Sequence, residues 1–190
     1  MLHMGDESTA LKQVNQILDT TGIPALLFRP THVTRNEQLF EEAIQFNHRG
    51  GMIDCTAGSE ERPFAKFYFR LKDAGCDMNK VTLSSDGQGS WSNYDKAGNL
   101  VEIGVSSVAA LHDELRRMVK KYNIPLEEAL LCMTKNVAQG LNLYPRKGAL
   151  LKNSDADLIL MDQDFNIDSV MTSAGWMMKE RKLLKKGYFE

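Results

Sequence analysis

Val81-Thr82-Leu83-Ser84-Ser85-Asp86-Gly87-Gln88-Gly89-Ser90 runs from a four-residue strand signal, Val81 to Ser84, straight into a carboxylate and a glycine-rich turn. The same pattern occurs twice more. Leu2-His3-Met4-Gly5-Asp6 puts His3 at the end of a strand stub, Met1 to Met4. Ala25 to Phe28 reads as a short buried strand that opens into Arg29-Pro30-Thr31-His32-Val33-Thr34-Arg35. Each segment places a metal-competent side chain where an apolar run breaks into a loop. Imidazoles suit a borderline-soft ion such as zinc, and a carboxylate can ligate one or take a proton from water bound to it.

Helical patterns fill the spaces between these strands. Ser8 to Thr20 carries Leu11, Val14, Ile17 and Leu18 at helical spacing. Asn36 is a capping residue for a helix whose inner face is Leu39, Phe40, Ala43, Ile44 and Phe46, with Gly50 and Gly51 ending it. Met52 to Cys55 reads as a further strand, and Phe64 to Ala74 as a helix stopped at Gly75. Strands alternating with helices imply parallel pairing with right-handed crossovers, and such folds build their sites at the carboxyl ends of the strands. His3, His32 and Asp86 all fall at those ends. Four such units are half of a (β/α)8 barrel, which ordinarily needs about 250 residues.

Beyond Asp86 the texture changes. Gly87 to Gly104 reads as a long loop rich in Gly, Ser and Asn, either a lid or wall carrying Trp91 and Tyr94 or a surface excursion. Ser106 or Ser107 is expected to cap a helix to about Tyr122, Pro125 to open another, and Thr134 to Leu141 to form a further helical piece. From Gly148 onward short strands are expected: Ala149 to Leu151, Asp155 to Met161, Ile167 to Met171 and Trp176 to Met178. They read as a β appendage too small to close a sheet of its own. The expected division is thus a partial barrel over 1–147 and sandwich strands over 148–190.

Composition narrows the function classes. The 190 residues are 43% hydrophobic and 25% charged with a net charge of −2, so neither disorder nor electrostatic binding to nucleic acid or an anionic membrane is indicated. The basic stretch Lys179 to Lys186, interleaved with Leu183 and Leu184, reads as a solvated strand and tail. No window has the run of about 18 apolar residues that marks a membrane span, and no signal core is evident. Cys55, Cys76 and Cys132 lack the spacing of a zinc ribbon or redox pair and read as reduced packing residues. A cytoplasmic protein is the expectation.

The set His-Met-Gly-Asp, Pro-Thr-His-Val-x-Arg and Ser-Ser-Asp-Gly-x-Gly-Ser, followed by Asp-Ala-Asp-Leu-Ile-Leu-Met, resembles the isoaspartyl dipeptidases of the amidohydrolase superfamily through essentially all 190 residues. The resemblance implies an α/β fold: the C-terminal half of a (β/α)8 barrel plus the C-terminal part of a small β-sandwich. It also implies hydrolysis of β-aspartyl dipeptides by a hydroxide bridging two zinc ions. His3 and His32 resemble the pair that holds one zinc. Asp86 resembles the ligand of the other, which also takes a proton from the attacking water and passes it to the leaving amine. Arg35 and Ser90 resemble the residues that hold the substrate's free α-carboxylate, a group an Arg fork matches with two parallel hydrogen bonds.

Other members of that pattern have no counterpart here: the paired His-x-His of the first strand, the metal-bridging lysine and the grip on the substrate's ammonium. His48, in a last helical turn, and His112, on an amphipathic helix, do not replace them. The zinc ligand set is therefore incomplete, and the chain is expected to be inactive alone, completed by an N-terminal half or by a homo-oligomer partner. Two alternatives stand beside this reading. One is another metal-dependent amidohydrolase of cyclic-amide or deacetylase type. The other is a non-catalytic half-barrel that acts through self-association or a partner.

Overall fold

A computed structural model describes residues 1–60 and 62–187. The chain forms two compact units, Met1–Asn136 and Val137–Glu190.

The first unit begins with three βα steps and a fourth strand. Strand β1 (Leu2–His3) precedes α1 (Lys12–Thr20), and β2 (Pro30–Thr31) precedes α2 (Glu37–His48). Then β3 (Ile53–Thr56) precedes α3 (Phe64–Asp73), and β4 (Val81–Ser84) follows. The strands pair in parallel, β1 with β2 and β3 with β4. A backbone bond of 3.4 Å from Val33 N to Asp54 O links the two pairs. The expected half-barrel thus stands as two parallel pairs in chain order, with a helix after each of the first three strands.

Why these segments fold locally is readable in their residues. Asn36 is the N-cap of α2, its side chain accepting from Leu39 N at 2.9 Å, and Gly50 takes a positive φ of 87° after the helix. Leu39, Phe40, Ala43, Ile44 and Phe46 are buried, as their spacing predicts. In α3 the buried face is Phe64, Ala65, Tyr68 and Leu71. Side chains of this size contribute about 1.5–3 kcal/mol each when removed from water. The N-cap residue of α3 is Pro63, whose own side chain makes no capping bond. Instead the fully buried Glu114 reaches across from α4 (Ala110–Arg116) to accept from Ala65 N at 3.2 Å. Glu114 is also ion-paired to Arg117, whose NH2 group meets Glu60 at 3.0 Å.

Several expectations need correction. Ala25–Leu27 is a short 3-10 turn rather than a strand, with Leu27 73% exposed; the strand begins only at Pro30. Prolines at 24 and 30 bracket a segment too short to pair. Gly87 to Gly104 is not a structureless loop. It contains an antiparallel hairpin of β5 (Ser90–Tyr94) and β6 (Leu100–Val105), turned by Asp95, whose carboxylate accepts from Ala97 N and Asn99 N. α4 begins at Ala110, although Ser107 Oγ does accept from Ala109 N, and it runs on into a π turn over Arg117–Lys121. Then α5 (Leu126–Leu131) follows Pro125 as expected, and α6 (Lys135–Gly140) closes the helical part. The free side of β4 is met by this region, Leu83 N donating to Cys132 O at 2.9 Å.

In the second unit, β7 (Leu158–Met161), β8 (Ile167–Thr172), β9 (Gly175–Lys179) and β10 (Lys182–Leu183) make a four-stranded antiparallel sheet in the order β10-β9-β8-β7. The expected appendage therefore does form a sheet from its own strands, although Ala149 to Leu151 contributes none, Leu150 being 83% exposed. Asp155 and Asp157 pair with Lys147, and Asp157 also accepts from Ser173 N at 2.8 Å. The last three residues of the expected sandwich segment lie outside the described residues. Among the described residues no helix is long and apolar enough to cross a membrane.

Candidate active site

β1 and β2 run parallel in register, His3 opposite Thr31, so the two strands end side by side and deliver His3 and His32 to one place. His3 Nδ1 lies 3.1 Å from His32 Nε2. Two nitrogens each about 2.0–2.1 Å from a tetrahedral zinc stand about 3.3 Å apart, so the two imidazoles are spaced as ligands of one ion. His32 is half-buried, with a positive φ of 62°; Asp86 also has a positive φ, 51°. Left-handed backbone at a non-glycine residue costs free energy, and it occurs here at two of the expected site residues.

The other face of His32 is fixed as well. Its Nδ1 lies 2.8 Å from Thr56 Oγ1 at the end of β3, which leaves Nε2 for His3. Burial holds the His32 imidazole below its usual pKa, partly opposed by the Asp86 carboxylate, and the His3 and Arg35 charges act with burial. A neutral ring at neutral pH is the form that ligates a metal.

Beneath the histidines, one buried carboxylate joins three strands. Asp54 on β3 accepts from Thr31 Oγ1 at 2.6 Å, Thr82 Oγ1 at 2.6 Å and Ser84 Oγ at 2.7 Å. Thr31 directly precedes His32, and Ser84 stands two residues before Asp86. The sequence singled out neither Asp54 nor Thr56. The available signal was their inward alternation along β3, two residues apart on one face.

Asp86 is half-buried in the turn after β4, its backbone oxygen accepting from Gly89 N at 2.8 Å. Among the described residues no group of three or more His, Cys, Asp or Glu gathers as a metal site. The donors present thus fit one ion's two imidazole ligands, with Asp86 near His32 but outside a complete set. Arg35 is exposed and ion-paired to Asp6 at 3.2 Å. Its loop is gripped by Arg62, which donates to Thr34 O at 2.8 Å and Arg35 O at 3.3 Å. Ser90 is exposed and opens β5. Of the remaining histidines, His48 Nε2 lies 3.0 Å from Ala74 O, away from this cluster.

Parallel βα units, with histidines converging from two neighbouring strand ends, agree with a profile that matches residues 3–177. The chain belongs to the amidohydrolase family. It is similar to the β-aspartyl dipeptidase of Fervidobacterium islandicum AW-1, solved with β-Asp-Leu dipeptide. The identity is 35% with a TM-score of 0.89, over 98% of this chain and 49% of that one. A second structure of that enzyme gives 31% identity and a TM-score of 0.82, over 98% and 47%. N-acetylglucosamine-6-phosphate deacetylase from Thermotoga maritima shares the fold, with a TM-score of 0.62 at 12% identity over 89% of this chain and 50% of that one. This amidohydrolase chain spans about half the length of the solved relatives it matches.

Proposed function

We propose that this chain supplies half of the barrel of a zinc-dependent hydrolase of β-aspartyl dipeptides, working in the cytoplasm. The observation that carries the proposal is the 3.1 Å approach of His3 Nδ1 to His32 Nε2, at the strand ends of a chain 35% identical to an enzyme solved with β-Asp-Leu. His3 and His32 would hold one zinc, and Asp86 would serve a second. Bound zinc would polarise the scissile carbonyl and acidify the attacking water. Asp86 would act as the general base and acid, accepting a proton from the attacking water and giving it to the departing amine. Arg35 receives the substrate's α-carboxylate in its guanidinium fork, and Ser90 adds a hydroxyl donor.

The described residues supply no further His or carboxylate at the pair. Completion therefore falls to an N-terminal half-barrel or to a second copy. The test measures zinc content, solution mass and β-Asp-Leu hydrolysis with added zinc on one purified sample. One weakly held zinc without turnover supports the proposal; the mass then tells whether a second copy is present. Two tightly held zinc ions with turnover in a monomer would overturn the half-barrel reading. No zinc binding at all would favour a non-catalytic half-barrel.

A further inference from the structure

Thr56 stands at the end of β3, one strand beyond the pair that carries the histidines, and its hydroxyl lies 2.8 Å from His32 Nδ1. On the opposite side of the same ring, Nε2 faces His3 Nδ1 at 3.1 Å. An imidazole can present a lone pair at Nε2 only when its proton sits on Nδ1, and that proton then needs an acceptor. A threonine hydroxyl oxygen supplies one. We propose that Thr56 is the positioning residue that holds His32 in the Nδ1-protonated tautomer, turning the Nε2 lone pair to the point shared with His3. This rests on the metal-site reading above and names a residue that acts through His32.

The placement of Thr56 is itself secured. It is the fourth residue of β3, paired in register with Ser84 of β4, and Ala57 N donates to Ser84 O at 2.8 Å immediately after it. Two residues earlier on the same inward face, Asp54 ties Thr31, Thr82 and Ser84 together. Thr31 is the neighbour of His32, so the ring and its hydroxyl acceptor are both referred to β3. A side chain on such a rigid element orients a ligand more closely than one on a loop.

The experiment has two readouts on the full chain. Two-bond 1H–15N correlation spectra of the zinc-free protein, well above the imidazole titration range, report the tautomer of His32 directly. Zinc affinity is read by competition with a chromophoric chelator. Wild-type chain is expected to show His32 protonated at Nδ1. Thr56→Val is expected to mix the tautomers and weaken zinc binding about 10- to 100-fold, the usual scale for losing an orienting partner of a ligand. Thr56→Ser, which keeps the hydroxyl, should restore both.

Nε2 protonation in the wild-type spectrum overturns the proposal, whether or not the valine variant folds. Unchanged tautomer and zinc affinity in a folded Thr56→Val chain overturn it as well, while leaving the metal site standing. If wild type shows the Nδ1 tautomer but takes up no zinc, the metal-site reading fails and the orienting contact survives.

Discussion

Asp54 Oδ2 accepts a 2.6 Å hydrogen bond from Thr31 Oγ1, so the carboxylate at the centre of β3 is tied to the residue that precedes His32. Thr82 and Ser84 complete its shell from β4. Removing the acceptor orphans the Thr31 and Ser84 hydroxyls, each costing on the order of 1–3 kcal/mol if left unpaired, and leaves Thr82 Oγ1 with only Ile53 O at 3.3 Å. Asp54→Ala is expected to lose at least about 2 kcal/mol of unfolding free energy in urea titrations, whereas Thr82→Val, which leaves two donors, loses about 1 kcal/mol. Equal losses would show that the hub is not shared.

Glu114 gives a pH dependence of unusual sign. Burial raises its pKa above the ordinary 4.5, with Arg117 and Ala65 N opposing the shift. Below the ordinary value the group is protonated in both folded and unfolded chains. As pH rises through the raised folded value the unfolded chain releases its proton first, so this group's stabilisation is lost with rising pH. Glu114→Gln keeps an acceptor for Ala65 N and cannot ionise. The stability of wild type relative to this variant is expected to fall as pH rises from 4.5, measured by urea unfolding at a series of pH values. A flat difference would mean that the Arg117 pair cancels the burial cost.

How far the sequence carried the fold depends on how local each signal was. The Asn36 cap, the buried face of α2 and the strand Val81 to Ser84 are settled by neighbouring residues, and the structure keeps them. Ala25 to Phe28 misleads because an apolar run resembles a buried strand, yet Ala25–Leu27 folds as a 3-10 turn between two prolines. The hairpin had a signal in Val101, Ile103 and Val105, whose alternation is strand-like, but the Gly and Asn content around Gly98 masked it. Asp86 stands at a strand end by its position after an apolar run, whereas the strand that delivers His32 is Pro30–Thr31, beyond the apolar run that pointed to it. Thr56 and Asp54 could not be singled out in the same way: a threonine and an aspartate within a strand acquire meaning only once β2 and β4 flank them.

Gly89 is required by its distance from Asp86. A Cβ there would stand 2.7 Å from Asp86 Oδ1 and 2.8 Å from its backbone oxygen, closer than such atoms approach. The turn must open or the carboxylate must move. Gly89→Ala is expected to lower β-Asp-Leu turnover by the completed enzyme at least about tenfold, a barrier increase of about 1.4 kcal/mol. Far-ultraviolet circular dichroism should be unchanged. Wild-type turnover in this variant would show that the turn opens and leaves the carboxylate in place.

Asp6 and Arg35 form an exposed ion pair of 3.2 Å, so the guanidinium proposed to take the substrate carboxylate already carries an intramolecular one. Substrate must displace Asp6, and exposed pairs of this kind hold by about 0.2–1 kcal/mol. Asp6→Asn is therefore expected to lower KM for β-Asp-Leu by up to about fivefold, the upper end of that range, with kcat unchanged. The difference should shrink as salt screens the pair in the wild type. Arg35→Ala in the same assay should raise KM steeply. A rise in KM for Asp6→Asn would reverse the assignment, making Asp6 a support that aims Arg35 rather than a competitor for it.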